Sequence, residues 1–588
     1  MYSEEVIRNA EHFLNNETQF HLGMLPTEQS NPKTRGLDEV FRKSAADGVS
    51  MLLAVDRDVV EMAKRIFAGA EFTQMVDAGL KTVLGGGKIV FSGCGATGRL
   101  SILLESMWRR FFIDLKASSP EGYAKVAEYD NSVFSIMTGG DYALIRSVES
   151  FEDYAQFGKQ QAQELGISSN DMLVAITEGG ETSSVLGTVE YAADMGAEVF
   201  LMFNNPADIL CKYIERSRRA IEDSRVTVLD LFCGPMAIAG STRMQATTSE
   251  QLIGGAALES ILAGVFKKSC SSQEMESLGF RGYDFAADFE SLVSELSRSE
   301  NAEEIGKVVK FEADIYGGNG LVTYFADSYL LDIFTDTTER APTFMLPPFK
   351  RSDFPDAPPS WAFVKDPAMP TVQAWQKVLG REPRCLEWNS ALYKDLNAPQ
   401  NLIDEPPCLG KNDIVKFLIG NESDASRVSR EPNVAFMITA GSEISAESFS
   451  GFIKSFDEYA KAFNQKRKLI IGQSSQDGDF NINCSPAASP LKLMERLAVK
   501  LVLNTLSTGS MVLLGRVASN WMSWVEVSNK KLRDRGIRLI CELCDVNYKD
   551  ACYALHDTIN ELGKIDFTGK ERPSPVQYTI RKIKNNKQ

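Results

Sequence analysis

Between residues 89 and 231, short apolar runs alternate with longer stretches whose apolar positions recur every three to four residues. Ile89–Phe91, Ser132–Met137, Met172–Thr177, Glu198–Phe203 and Val226–Leu231 are almost unbroken in hydrophobicity, the pattern of strands buried on both faces. The stretches between them keep helical spacing, as in Leu100, Leu103, Leu104 and Met107, in Tyr142–Tyr154, and in the run that ends at Ala193. Such alternation predicts a parallel sheet with helices on both sides. A second alternating region predicts strands at Leu321–Phe325, Trp361–Val364, Val434–Thr439 and Lys468–Ile471. Its helices are Tyr329–Thr335, Thr371–Leu379 and Ser445–Asn464, and the whole reads as a divergent copy of the first. The fold class is α/β: two doubly wound parallel sheets, each in a three-layer α/β/α unit, followed by an α-helical C-terminal cap.

The remaining segments frame these two units. After a first helix, Leu25–Thr34 is too rich in proline and capping residues to be regular. Helices follow at Leu37–Ala45, Asp56–Ala70 and Ala68–Leu84, the last stopped by Gly85, Gly86 and Gly87. Gly240–Met244 opens a long helix to about Ala263, and Ser271–Ala302 reads as a polar, acidic connection plus a helix. Leu491–Val527 is a long apolar-periodic helix or helix pair interrupted by Asn504, Thr505, Ser507, Thr508 and Gly509. Buried, these polar groups need partners, found at a close helix crossing or in a ligand site. The tail from Gly563 is basic and irregular, and its last five residues read as disordered. The organisation is an N-terminal helical arm (1–55), a first unit with the ligand site (56–272), a degenerate second unit (273–490) and a cap with tail (491–588).

Composition narrows the function classes. The chain of 588 residues carries a formal net charge of −16, is 44% hydrophobic and 24% charged. That balance argues against a nucleic-acid partner, although a local positive pocket can still hold a phosphate. No run approaches a membrane span, and MYSEEVIRNAEHF has neither the basic nor the apolar part of a secretory leader; no membrane partner and a cytoplasmic location are expected. The ten cysteines are scattered, and only Cys541 and Cys544 are close. With His12, His21 and His556 as the only histidines, no metal pattern forms, so no metal and no cofactor are expected. Acid–base chemistry must come mainly from carboxylates.

The candidate chemistry centres on Gly93-Cys94-Gly95-Ala96-Thr97-Gly98, which joins the first strand to an amphipathic helix. Glycines let backbone approach a ligand, and the first helical amides have no internal acceptor, so an anion is the natural occupant. Thr97 adds a hydroxyl, with Arg99 within a turn. The spacing also fits a dinucleotide fingerprint, but that reading wants an acidic residue about 20 positions on, ending a second strand; Asp114 and Asp130 end none. A compact phosphate ester fits better. The second copy has Ala326-Asp327-Ser328 where the first has its glycines, so a tight phosphate cradle is not expected there.

Four segments together resemble the sugar isomerase (SIS) superfamily, in its branch of N-acetylmuramic acid 6-phosphate etherases and glucokinase regulatory proteins. They are Leu25–Pro32, Gly93–Leu100, Gly139-Gly140 through Val148-Glu149-Ser150-Phe151-Glu152-Asp153, and Gly240–Met244. Leu503–Gly509 and Arg384–Trp388 are also similar to the regulatory-protein side, which carries two SIS domains and a helical cap. The resemblance implies a sugar-phosphate shell of Thr97, Thr177, Gly179, Gly180, Thr182 and Ser183, to which the glycine turn itself adds Gly95, Ala96 and Gly98. Glu181 would oppose a dianion if it faced inward. The resemblance further implies that Lys500 reaches the ligand and offsets its charge; by helical spacing Asn504 or Ser507, one and two turns later, lies roughly on its face.

The etherases use two glutamates, one abstracting a proton next to a carbonyl and one placed by the ether and ring oxygens. By resemblance one is Glu152. The other falls on Met107, whose thioether moves no proton; Glu105 is about 200° around the helix and a poor substitute. In the second copy, Asp336–Phe344 looks like the etherase segment with its glutamate at Glu339, but the cradle before it is gone. This distribution favours a regulator or sensor that binds a hexose or amino-hexose phosphate, with a sugar kinase as the protein it would act on. The alternative is a sugar-phosphate lyase or aldose–ketose isomerase using Glu152 as its catalytic residue.

Overall fold

A computed structural model describes residues 2–148, 151–446, 449–473, 478–567 and 571–587. Five parallel strands, β1 Ile89–Gly93, β2 Val133–Met137, β3 Met172–Ile176, β4 Glu198–Phe203 and β5 Val226–Asp230, form the first sheet in the order β2-β1-β3-β4-β5. Successive residues enter opposite cores. Ile89, Phe91, Met172 and Val174 join the large core that runs through both halves, whereas Val90, Leu173 and Ala175 pack under Val185 and Val189. Each strand is therefore apolar throughout because both of its faces are covered.

The second sheet comprises β6 Leu321–Phe325, β7 Ala362–Lys365, β8 Asn433–Ala440, β9 Gln465–Ile471 and β10 Phe480–Ile482, again all parallel. Its order β10-β9-β8-β6-β7 repeats the first sheet strand for strand, which establishes the second region as a copy. The expectation omitted β10: three residues at the sheet edge, paired with β9 and following a polar run, carry too little pattern to read.

In both sheets the order reverses beside the first strand of the unit, which opens a crevice beyond the carboxyl ends there. Around the first crevice lie the helices Ala96–Ser118, Ser183–Asp194 and Gln245–Ser269. The cap helix Leu493–Leu513 packs against Gln245–Ser269 of the first half and against Ser299–Gly317 and Leu330–Thr337 of the second. Its polar residues are explained by that junction, as described below.

Several local expectations are corrected. Tyr142–Tyr154 is not a helix: a 3-10 turn at Asp141–Leu144 is followed by irregular chain, and Glu149 and Ser150 lie outside the described residues. Gly240 adopts φ +78°, so the long helix starts only at Gln245 and extends to Ser269. The stretch 491–527 is one helix followed by a small ribbon, Val517–Ala518 paired with Trp521–Met522. The tail is not irregular but forms a helix, Pro575–Lys587, anchored by buried Val576 and Ile580. Ser445–Asn464 shortens to the helix Phe449–Tyr459 plus a 3-10 turn, with residues 447–448 outside the described residues. All ten cysteines are free thiols, and among the described residues no helix is long and apolar enough to cross a membrane.

Candidate functional site

The turn after β1 is shaped by its glycines. A Cβ on Gly93 would lie 2.4 Å from the Thr97 carbonyl and one on Gly98 2.7 Å from Met137, while Gly95 has φ +57°. Thr97 closes the turn: its Oγ1 accepts from the Cys94 amide at 3.0 Å and donates to the Cys94 carbonyl at 2.8 Å. The hydroxyl expected on the rim is thus spent inside the turn, and Cys94, Gly95 and Ala96 line the cavity instead. Arg99 is also turned away from the rim. It is 1% exposed and its Nε donates to the Leu144 carbonyl and to Thr338 Oγ1, both at 2.9 Å.

Neighbouring strand ends supply the next wall. Thr138, after β2, shares a 2.9 Å hydrogen bond with Ser184, and Thr177, after β3, donates to Thr182 at 3.2 Å. Thr138, Glu178 and Thr182 face the cavity. Gly180, at φ +76°, sets the loop so that its carbonyl accepts from Ser217, while the Gly179 carbonyl accepts from Asn205. Thr177, Gly179, Gly180 and Ser183 therefore shape the loop from behind. Glu152 lines the cavity, its carbonyl held by the Ser184 amide at 3.0 Å.

Glu181 faces away from the cavity, which resolves the conflict its charge raised. Lys531 Nζ lies 2.7 Å from Oε1 and Arg216 Nη2 3.0 Å from Oε2. Burial alone would raise this carboxyl, but the two cations outweigh it and hold Glu181 at about 2. Among the described residues Glu178 makes no such pair: burial, with Glu339 and Glu152 nearby, lifts it to about 7 against the pull of Lys531.

Two walls come from elsewhere in the chain. Helix Lys530–Cys544, capped by Asn529 on the Leu532 amide, presents Lys531, Leu532 and Arg535. Arg535 is fixed by Glu28 of the Leu25–Pro32 motif through Nε (2.9 Å) and Nη2 (2.6 Å), and Arg538 adds a third bond to the same carboxylate at 3.0 Å. From the second half, the junction between helices Leu330–Thr337 and Arg340–Phe344 presents Glu339, Pro342 and Thr343 to the same cavity. Glu339 is ion-paired with Arg99.

Each copy thus contributes to the other's crevice. Met107 is buried and does not line the main cavity; it borders a small one beside Ser328, Lys492 and Arg496, at the end of β6. A neighbouring small cavity, which shares Arg110, Ser328 and Arg496 with it, carries its own charges, Lys377 lying 2.6 Å from Asp327 and 2.9 Å from Asp366. Met107 therefore faces the degenerate crevice and Glu339 the intact one. The expectation that each half holds an incomplete site is corrected: the retained cradle and the retained glutamate share one cavity of about 170 Å³. Glu105 is structural. Buried, yet held at about 2 by Arg381, Arg384 and Arg109, it ties the halves together.

Lys500 does not reach the main cavity. It lines a smaller one behind it, which shares Ala96, Arg243 and Glu339, and its Nζ donates to the Arg243 carbonyl and to Asn504 Oδ1, both at 2.8 Å. Burial, with Arg243 adding, pulls Lys500 down to about 7. Asn504 (3.0 Å) and Ser507 (2.8 Å) donate to Asp336, which also takes Arg243 at 2.8 Å, and Arg243 donates to Thr508 at 2.7 Å. The polar set of the cap helix thus forms a close crossing that locks the Gly240–Met244 turn. Sequence reasoning missed Lys531, Arg535 and Glu178. The one available signal was the density of basic residues at 530–538, for which spacing alone assigns no target. Among the described residues no cluster of His, Cys, Asp or Glu could hold a metal.

Comparison with known proteins bears on the family of the chain. Residues 71–193 match the family model described as the glucokinase regulatory protein N-terminal SIS domain. The chain is 28% identical over 233 residues to N-acetylmuramic acid 6-phosphate etherase 1 of Bacillus licheniformis, covering 40% of this chain and 67% of that one. It is 30% identical over 227 residues to the N-acetylmuramic acid 6-phosphate etherase of Francisella tularensis subsp. novicida, covering 39% and 67%. With its cradle, its loops and its repeated sheet order all of one kind, the chain belongs to the SIS superfamily, in the branch of the etherases and the glucokinase-regulatory-protein-like domains.

Proposed function

We propose that this protein binds a hexose phosphate or amino-hexose phosphate in the cavity beyond β1–β3, as a sensor or regulator. The observation that carries the reading is the composition of that cavity. The Gly95–Ala96 turn and Thr182 offer neutral donors at helix starts, while Glu339 and Lys531 arrive from the second half and from the C-terminal helix. A ligand bound there touches three regions that are far apart in the sequence, so its binding favours the arrangement in which they are held together. A protein partner such as a sugar kinase, reading the second half or the C-terminal helices, would then respond to sugar phosphate without any bond being made. The pairing of Glu339 with Arg99 supports binding over turnover, because a carboxylate engaged by a guanidinium is a weaker base.

A second reading, elimination or isomerisation at a sugar phosphate, is favoured by one observation: Glu152 and Glu339 line the same cavity. Met107 consequently no longer argues against lyase chemistry. One experiment separates the two. Calorimetry with fructose 6-phosphate, glucosamine 6-phosphate and N-acetylmuramic acid 6-phosphate is followed by a turnover assay on each sugar that binds, including release of lactate from the last. Saturable binding without turnover selects the regulator; lactate release near one per second, within the ordinary enzyme range, selects the lyase. Equal binding of unphosphorylated sugars to this cavity would refute both.

A further inference from the structure

At the opposite face of helix Lys530–Cys544, the helices Glu4–Asn16 and Tyr548–Leu562 border a separate cavity of about 260 Å³. Two buried atoms lack partners there. His556 is 6% exposed, and its Nδ1 donates to the Cys552 carbonyl at 2.8 Å. That bond fixes the tautomer, so Nε2, buried and without a partner among the described residues, is an acceptor. Burial, with Arg533 nearby, also holds the imidazole below its ordinary range and keeps it neutral. Arg533 lies over the Phe13 ring at 5.7 Å; its Nε–H is likewise buried and unpartnered, and its guanidinium makes no ion pair among the described residues.

Hydroxyl chemistry suits each of the two atoms. A hydroxyl donates to Nε2 and accepts from Nε–H, whereas a phosphate dianion or a carboxylate has no proton to donate. The rest of the wall argues in the same direction. Glu5 and Glu17 stand against an anion, and Glu17 is already engaged by Lys530 at 2.8 Å and His12 at 3.6 Å. Asn9 and Asn560 each offer donor and acceptor, while Val6 and Ile559 supply apolar surface for the C–H face of a ring. We infer that this cavity is a binding site for a neutral polyhydroxy compound of monosaccharide size, separate from the cavity beyond β1–β3.

Calorimetry of the full-length protein with glucose, N-acetylglucosamine and myo-inositol tests the inference. For at least one probe we expect saturable binding in roughly the millimolar range or tighter, weakened about tenfold or more by R533M and by H556F, and unchanged by K531M in the other cavity. A second measurement needs no variant of the site. Because the chain has three histidines, selectively labelled imidazoles give a readable nitrogen spectrum, in which His556 should shift on saturation with the probe and His21 should not. No saturable heat with any probe, affinity retained in both R533M and H556F, loss of binding in K531M, or a His556 signal that stays in place would each overturn the assignment.

Discussion

Replacing Glu28 with Ala perturbs the contact that joins the N-terminal motif to the C-terminal helix, and its cost follows from the structure. Glu28 is 1% exposed and its carboxylate accepts two bonds from Arg535 and one from Arg538. Arg538 would keep Asp534 at 2.8 Å, but Arg535, 5% exposed, has no other carboxylate among the described residues. Removing one partner of a buried pair leaves an uncompensated charge, at about 3–5 kcal/mol. At about 2–4 °C per kcal/mol for units of 150–250 residues, the apparent Tm should fall by roughly 6–20 °C. Circular dichroism melts of the wild type and E28A at neutral pH measure it. The pH dependence is a second check. Burial alone would raise the Glu28 carboxyl, but Arg535 and Arg538 hold it well below its ordinary 4.5. A depressed carboxyl contributes stability that is present above about 4.5 and lost as pH falls toward the folded value. The gap between wild type and variant should therefore narrow on acidification. A Tm change below about 2 °C at neutral pH, or a gap that widens in acid, would refute the reasoning.

Three further outcomes follow from the site. Glu178, raised to about 7, is neutral below that pH and anionic above it, so calorimetry should show fructose 6-phosphate affinity weakening as pH rises through 7, by roughly tenfold; E178Q should flatten the profile, and an identical profile in both proteins would remove Glu178 from the site. E339Q should change binding or turnover in the first crevice although it lies in the second half, whereas the volume-conserving M107L should leave both untouched; the same assays run on both variants check this, and the reverse result would refute the crossed arrangement. G93A, whose new Cβ would meet the Thr97 carbonyl at 2.4 Å, should abolish sugar-phosphate binding and cost about 1–3 kcal/mol of stability, measured by calorimetry and melting.

Much of the fold was legible because it is local. Met172–Ile176 and Leu321–Phe325 are apolar throughout, and a strand covered on both faces can hardly be written otherwise. The turn at 93–98 was equally plain, since its backbone requires glycine. Elements that depend on distant contacts were not legible. β10 is set by distant partners, pairing with β9 and packing on helix Ser299–Gly317, and the helix Pro575–Lys587 by the core that buries Val576 and Ile580. Tyr142–Tyr154 has helical spacing but is claimed by other contacts: the Asp141 amide bonds the Arg384 carbonyl, and the Leu144 carbonyl takes Arg99.

Taken alone, the sequence determined two α/β units, a glycine cradle in one of them, and carboxylates as the available chemistry, because each is set by periodicity or by the backbone demands of single residues. Only the tertiary structure decided which residues meet. Glu339 lies more than 200 positions beyond the cradle it faces, Lys531 more than 400, and Glu181 faces away from the cavity because Lys531 and Arg216 hold it there. Spacing carries no information over such separations. The two copies pack so that the chain after Thr337 enters the first crevice while the middle of helix Ala96–Ser118 borders the second, and that packing alone pairs the intact cradle with Glu339 and sets Met107 beside Ser328, Lys492 and Arg496.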